Sequence, residues 1–131
     1  MSRTATGIVE SKEWNQVEYA PVEGASGLAV ATGHDRYTGD IEGEARWHGL
    51  MHGFPDGTGT FVSLQRMECT IGELSGSFVL EMRGTFDAAG SRADWVVVPG
   101  SGTADFATIS GKGGYTATDA TTASYSLTYT V

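Results

Sequence analysis

The sequence predicts an all-β protein, a single antiparallel β-barrel of about eight strands formed by residues 1–131 as one domain. Three observations carry that expectation. Glycine makes up 19 of the 131 residues, spread along the chain, and it interrupts most windows long enough for an amphipathic helix. Between the glycines lie stretches rich in Thr, Val, Ser, Tyr, Phe and Trp, which suit a pleated, half-buried surface. Several of these stretches alternate apolar and polar side chains with a period of two. Short turns join them, and closing such a sheet on itself removes exposed edges, which favours a barrel over a sandwich.

In order along the chain, residues 4–9 and 12–19 read as two strands, followed by 28–36 and 41–51. Pro55-Asp56-Gly57 is a turn. Residues 58–69 then place Phe61, Ser63, Gln65 and Met67 on one face and Val62, Leu64, Arg66 and Glu68 on the other. The run Gly72-Glu73-Leu74-Ser75-Gly76 turns the chain into residues 76–86, where Phe78, Leu80, Met82 and Phe86 alternate with Val79, Glu81, Arg83 and Thr85. Asp87-Ala88-Ala89-Gly90 leads to a strand at 93–98, and Pro99-Gly100-Ser101-Gly102 leads to a single helical turn within 104–109. Residues 115–118, the turn Asp119-Ala120-Thr121-Thr122, and a last strand at 124–131 complete the set. No internal repeat or low-complexity segment interrupts it.

Charge excludes whole classes of partner. Eight Lys and Arg against 16 Asp and Glu give a net charge of −8, so the chain has no basic face for nucleic acid or an anionic membrane. No run of about 18 apolar residues exists to span a bilayer as a helix, and residues 1–10 lack the apolar core of a secretory signal. Cys69 is the only cysteine, which excludes an internal disulfide and suits a reducing compartment. The expectation is a cytoplasmic protein.

The catalytic motifs that can be tested mostly fail. Glu44, His48 and His52 stand four apart, but Gly43, Gly49, Gly53 and Pro55 forbid the helix that would gather them. On a strand each step spans roughly 13 Å, too far for one ion to reach both histidines, so no metal is expected. Whether His34 joins one of them across strands is left open. Ser110-Gly111-Lys112-Gly113-Gly114 has Phe106 where a phosphate loop needs its first glycine, and Gly113 where it needs a hydroxyl. Gly100-Ser101-Gly102 lacks the third glycine and long helix of a dinucleotide site. Gly72–Gly76 carries Leu74, not serine, at its centre, so it is no nucleophile elbow. Cys69 reads as a small buried hydrophobe. No cofactor is expected.

The hairpin around residues 72–76 is more informative. A turn centred near residue 74 pairs residues whose numbers sum to about 147, which sets Gln65 opposite Met82 among Phe61, Met67, Phe78 and Leu80. An amide among apolar side chains needs a partner, either a neighbouring Tyr or Trp or a ligand, because burying it alone costs about 1–3 kcal/mol.

Thr38-Gly39-Asp40-Ile41-Glu42-Gly43-Glu44, Gly76-Ser77-Phe78-Val79-Leu80, Gly84-Thr85-Phe86, Val98-Pro99-Gly100-Ser101-Gly102-Thr103 and Gly111-Lys112-Gly113-Gly114-Tyr115 occur in this order. With Trp14 near the start and Tyr125 to Tyr129 at the end, the chain resembles the bacterial DUF3224 family along nearly its whole length. The resemblance implies a β-barrel similar to allene oxide cyclases and dirigent proteins. Such cyclases are cofactor-free: an apolar lumen folds a reactive substrate, and catalysis rests on positioning and water exclusion. Members of the family often read Leu-Glu-Arg and Leu-Gln-His where this chain has Leu64-Gln65-Arg66 and Leu80-Glu81-Met82. Here the facing pair is Gln65 and Met82, neither of which titrates.

The expected function is therefore a barrel that binds a hydrophobic small molecule and templates its isomerisation or ring closure without a cofactor. Gln65 is the polar orienting group, with His48 and His52 in reserve as catalytic residues. Phe61, Met67, Phe78, Leu80, Met82, Trp95 and Trp47 are the apolar wall. The alternative is a non-catalytic carrier, or a structural barrel with a packed interior. A homo-oligomer is expected through an outer face bearing Val79, Val96 and Val98.

Overall fold

In the computed structural model, which describes residues 2–131, eight strands run antiparallel to their neighbours and close into a barrel. They are β1 (Arg3–Val22), β2 (Ala25–Gly39), β3 (Ile41–Gly53), β4 (Gly59–Ile71), β5 (Leu74–Asp87), β6 (Gly90–Val97), β7 (Ser110–Ala117) and β8 (Thr122–Thr130). Each pairs with the next, and β1 pairs with β8 to close the ring. A single 3-10 turn, Ala104–Phe106, is the helical turn expected there.

Residues 4–9 and 12–19, expected as two strands, are one continuous β1. The alternation misleads because the pairing with β2 shifts between Ser11 and Glu13. Ala5, Val9 and Ser11 point inward before this irregularity, and Trp14 and Gln16 after it, so an odd-numbered face becomes an even-numbered one. Beyond Ser11, whose N–H bonds the Thr121 carbonyl, β1 leaves β8 and continues as an edge strand on β2, which is itself paired with β3 along that length.

The hairpin between β4 and β5 also turns earlier than expected. Ile71 pairs with Leu74 across the two residues Gly72 and Glu73, with Gly72 at φ 62°. A left-handed first residue followed by an ordinary second one is the type II′ pattern, whose twist matches the flanking strands. Gln65 therefore faces Leu80, and Ser63 faces Met82. The shift is two residues, so no side chain changes face.

One end of the barrel is filled. Ile41, Met67, Phe78, Leu80, Trp95 and Leu127 interdigitate there with at most 1% of their surface exposed. The Tyr125 hydroxyl accepts the Ile41 N–H at 2.9 Å and donates to the Thr38 carbonyl at 2.8 Å, tying β8 to the β2–β3 corner. Below, β6 stops at Val97 while β5 runs on to Leu74, leaving part of the β5 edge unpaired by a strand. The segment 98–109 covers it. Ser101 Oγ accepts the Val79 N–H, Thr103 Oγ1 accepts the Ser77 N–H, and Asp105 Oδ2 accepts the Ser75 N–H, each at 3.0 Å. Phe106 packs edge-on against Phe78, with centroids 5.1 Å apart, and seals that corner of the core.

Candidate functional site

The other end is open. Three aromatic rings there lie over glycines directly opposite them on the neighbouring strand: Trp47 on Gly33, Phe61 on Gly84 and Phe86 on Gly59. A Cβ at any of these glycines would collide with the ring. The rings are thereby held against the barrel wall, and space remains between them. The result is a cavity of about 740 Å³, within the usual range for small-molecule sites. Trp14, from the edge portion of β1, meets Trp47 edge-on with centroids 5.1 Å apart, although Trp14 itself is 56% exposed. The turns 87–90 and 118–122 form the far rim. A hollow of about 870 Å³ on the wall of β5–β8 is lined mainly by outward-facing side chains such as Arg83, Arg92 and Thr116, and the lumen offers the better enclosed site.

Polar groups gather where the cavity meets the packed half. Gln65, 1% exposed, donates from Nε2 to the Tyr37 hydroxyl at 2.6 Å and lies 3.1 Å from Met67 Sδ. Burial pushes the Tyr37 hydroxyl well above its usual pKa of 10.0, so it stays a neutral donor and acceptor. Asp35 stands two residues earlier on β2 and faces the lumen beside Trp47. Burial raises its carboxyl from 3.8 to about 6, against the opposing pull of the Trp47 indole N–H and of His34. Tyr115, on β7, is also raised by burial, with the Ser91 hydroxyl pulling the other way. Ser63 is 8% exposed, and its Oγ has no hydrogen-bond partner.

The expected site residues divide into three sets. Gln65, Trp47, Phe61 and Met82 all line the cavity. Met67, Phe78, Leu80 and Trp95 point inward but belong to the packed half, so they support the site without lining it. His48 and His52 are not in the lumen. The inward phase of β3 is Ala45, Trp47, Gly49 and Met51, which turns His48 to the exposed outer face and His52 onto Phe54, with centroids 4.7 Å apart. Glu44 is also outside, where His34 Nε2 comes within 3.5 Å of its carboxylate. Among the described residues, no three His, Cys, Asp or Glu side chains are grouped to hold a metal ion. Burial pushes the Cys69 thiol up to about 12, which leaves it un-ionised and unreactive at neutral pH.

Sequence reasoning missed Asp35, Tyr37, Ser63, Trp14 and Tyr115. A signal for the first two was present. Ala29, Ala31, Gly33, Asp35 and Tyr37 share one phase of β2, and a carboxylate in register with small buried residues marks a polar group entering the lumen. Trp14 was hidden by the irregularity at Lys12, which reverses its face.

No curated protein matches the chain. Among solved structures, a protein of unknown function from the DUF3224 family of Shewanella oneidensis MR-1 superimposes with a TM-score of 0.81 at 20% identity, over 99% of this chain and 98% of that one. That likeness shows the shared barrel. The family described as "Protein of unknown function (DUF3224)" matches residues 5–129, which spans every strand. The chain is a member of the DUF3224 family.

Proposed function

We propose that the lumen binds an apolar small molecule and promotes its isomerisation or ring closure without a cofactor. The observation that carries this reading is the division of one barrel into a packed half and an aromatic-walled cavity, with Asp35, Tyr37, Ser63 and Gln65 at the boundary. A barrel needed only as a scaffold gains nothing from the open half, because filling it would bury more apolar surface. Three rings braced on glycines preorganise the wall, so a flexible substrate is folded by a surface already in place.

Asp35 supplies the proton chemistry. With its carboxyl at about 6, it exchanges protons near neutral pH. One substrate carbon gives a proton to an Asp35 oxygen, a second carbon takes it back, and the double bond or new ring bond forms between. The molecular formula is unchanged and nothing else is consumed. Tyr37 and Ser63 are hydroxyl donors available to a developing oxyanion.

A carrier without turnover is favoured by one feature. Gln65 and Tyr37 bond to each other, which satisfies the carboxamide without a substrate. Native mass spectrometry of protein purified from its own host, followed by incubation of the released molecule with the purified protein, separates the two readings. A bound apolar metabolite converted to an isomer of equal mass supports catalysis. A bound metabolite returned unchanged supports the carrier, and an empty lumen that also takes up no apolar probe defeats both.

A further inference from the structure

Resting on the reading of the lumen as a ligand site, the geometry points to an organic cation as its occupant: an apolar amine or ammonium whose charge sits between the Asp35 carboxylate and the Trp14–Trp47 corner. Among the described residues lining the cavity, three side chains carry formal charge, Asp35, Asp87 and Asp119, and all are acidic. None of the lining residues is Lys, Arg or His. A carboxylate or phosphate ligand would enter without a countercharge, against a chain of net charge −8.

The three acids are not equivalent. Asp119 accepts the backbone N–H groups of Thr121 and Thr122 at 2.8 Å each, and Asp87 accepts that of Ala89 at 2.7 Å, so both are turn-capping residues at the rim. Asp35 caps nothing. It lies on a strand, with Ser11 opposite it on β1 and Ala45 opposite it on β3, and forms no ion pair with the charged neighbours of the outer face. Its surroundings toward the lumen are the Trp47 indole, Tyr37 and Tyr115.

Aromatic faces attract cations through the ring quadrupole, and the attraction strengthens when water is excluded. Trp14 and Trp47 meet at 64°, forming two walls of a corner beside the carboxylate, and Phe61, Phe86 and Tyr115 line the same cavity. Ser63 adds an independent sign of a missing occupant. Its buried hydroxyl lacks any partner although Ser63 and the Gly49 opposite it both line the cavity. An amine with an apolar body and a second polar group would complete the Asp35, aromatic and Ser63 contacts together.

The test uses three naphthalenes that differ in one substituent: 1-naphthylmethylamine, 1-naphthylmethanol and 1-naphthoate. Binding to the full chain is measured by calorimetry at pH 7.5 and 0.15 M salt. The expected result is one saturable site, with the ammonium bound at least tenfold tighter than the alcohol and the naphthoate weakest. Asp35→Asn should bring the ammonium to the affinity of the alcohol, and thermal melting verifies that the variant is folded. Equal affinities, tighter naphthoate binding, or a cation preference that survives Asp35→Asn would overturn the inference while leaving the lumen as a ligand site. Failure of all three compounds to bind would overturn both.

Discussion

Trp47 on β3 lies flat across Gly33, the residue paired with it on β2, and a Cβ at position 33 would enter the indole ring. The glycine thus lies behind the ring and lets it sit against the barrel wall. Gly33→Ala should displace Trp47 into the lumen and lower stability by about 1–3 kcal/mol, as overpacking does elsewhere. Chemical denaturation measures the loss, and Trp47 fluorescence reports the displacement. An alanine variant with wild-type stability and emission would show that the ring is free to move.

Asp35 ties stability to pH. Its carboxyl is at about 6 in the fold against 3.8 ordinarily, so folding favours the protonated form. Its contribution to stability is complete below about pH 4 and is lost as pH climbs toward 6 and beyond, by on the order of 2–3 kcal/mol. Asp35→Asn removes that dependence. The variant should be more stable than the parent at pH 8 and equal to it near pH 3.5. A parent with the same stability difference at both pH values would contradict this.

Gln65→Leu keeps the volume of the side chain but leaves the Tyr37 hydroxyl, fully buried, without its partner. The barrel should still fold, with a loss of about 1–3 kcal/mol, and apolar ligand binding should change. An unchanged binding curve would remove Gln65 from the site.

Ala104 has φ 51°, the one positive value among described non-glycine residues, at the start of the turn that covers the β5 edge. Ala104→Gly should relieve that backbone and raise stability by up to about 1 kcal/mol. A thermal melt with no rise would show that the greater freedom of glycine in the unfolded chain cancels the relief.

On the outer face, Val30, Leu50 and Val62 form one directly opposed row across β2, β3 and β4, and they are 38–51% exposed. Val79 and Val98, the residues expected to carry self-association, are instead half-buried at the start of the covering segment, where the Val98 N–H bonds the Val79 carbonyl. Only Val96 of that trio is largely exposed. Association of two copies is therefore expected through the β2–β4 row. Sedimentation at micromolar concentration should show a dimer that Leu50→Glu returns to monomer, and a monomeric parent would sink the idea.

The barrel was legible because period-two alternation survives in β4, β5 and β8, where nearly every inward residue is apolar or glycine. The β4–β5 register was legible only to within two residues, since parity fixes faces and the turn type fixes the rest. Phe61, Gln65 and Met82 were found by parity alone. Asp35 was missed because a charged residue in a Gly- and Ala-rich strand reads as solvent-facing until its phase is compared with Ala29 and Ala31. The histidines drew notice through spacing, which holds no information about the inward face of β3; Trp47 and Met51 on the same strand do.

The ring is closed by eight residue pairs between β1 and β8, ending at Glu10 and Thr122, and beyond the Ser11 N–H bond to the Thr121 carbonyl β1 is held by β2 alone. The molecule thus has a hoop and, on the same strand, a margin that carries Trp14 and is fastened along one edge only. Peeling that margin from β2 beyond the Ser11–Glu13 irregularity would carry an indole away from the mouth without breaking a closing pair. The lip of the lumen and the closure of the hoop therefore rest on different hydrogen bonds.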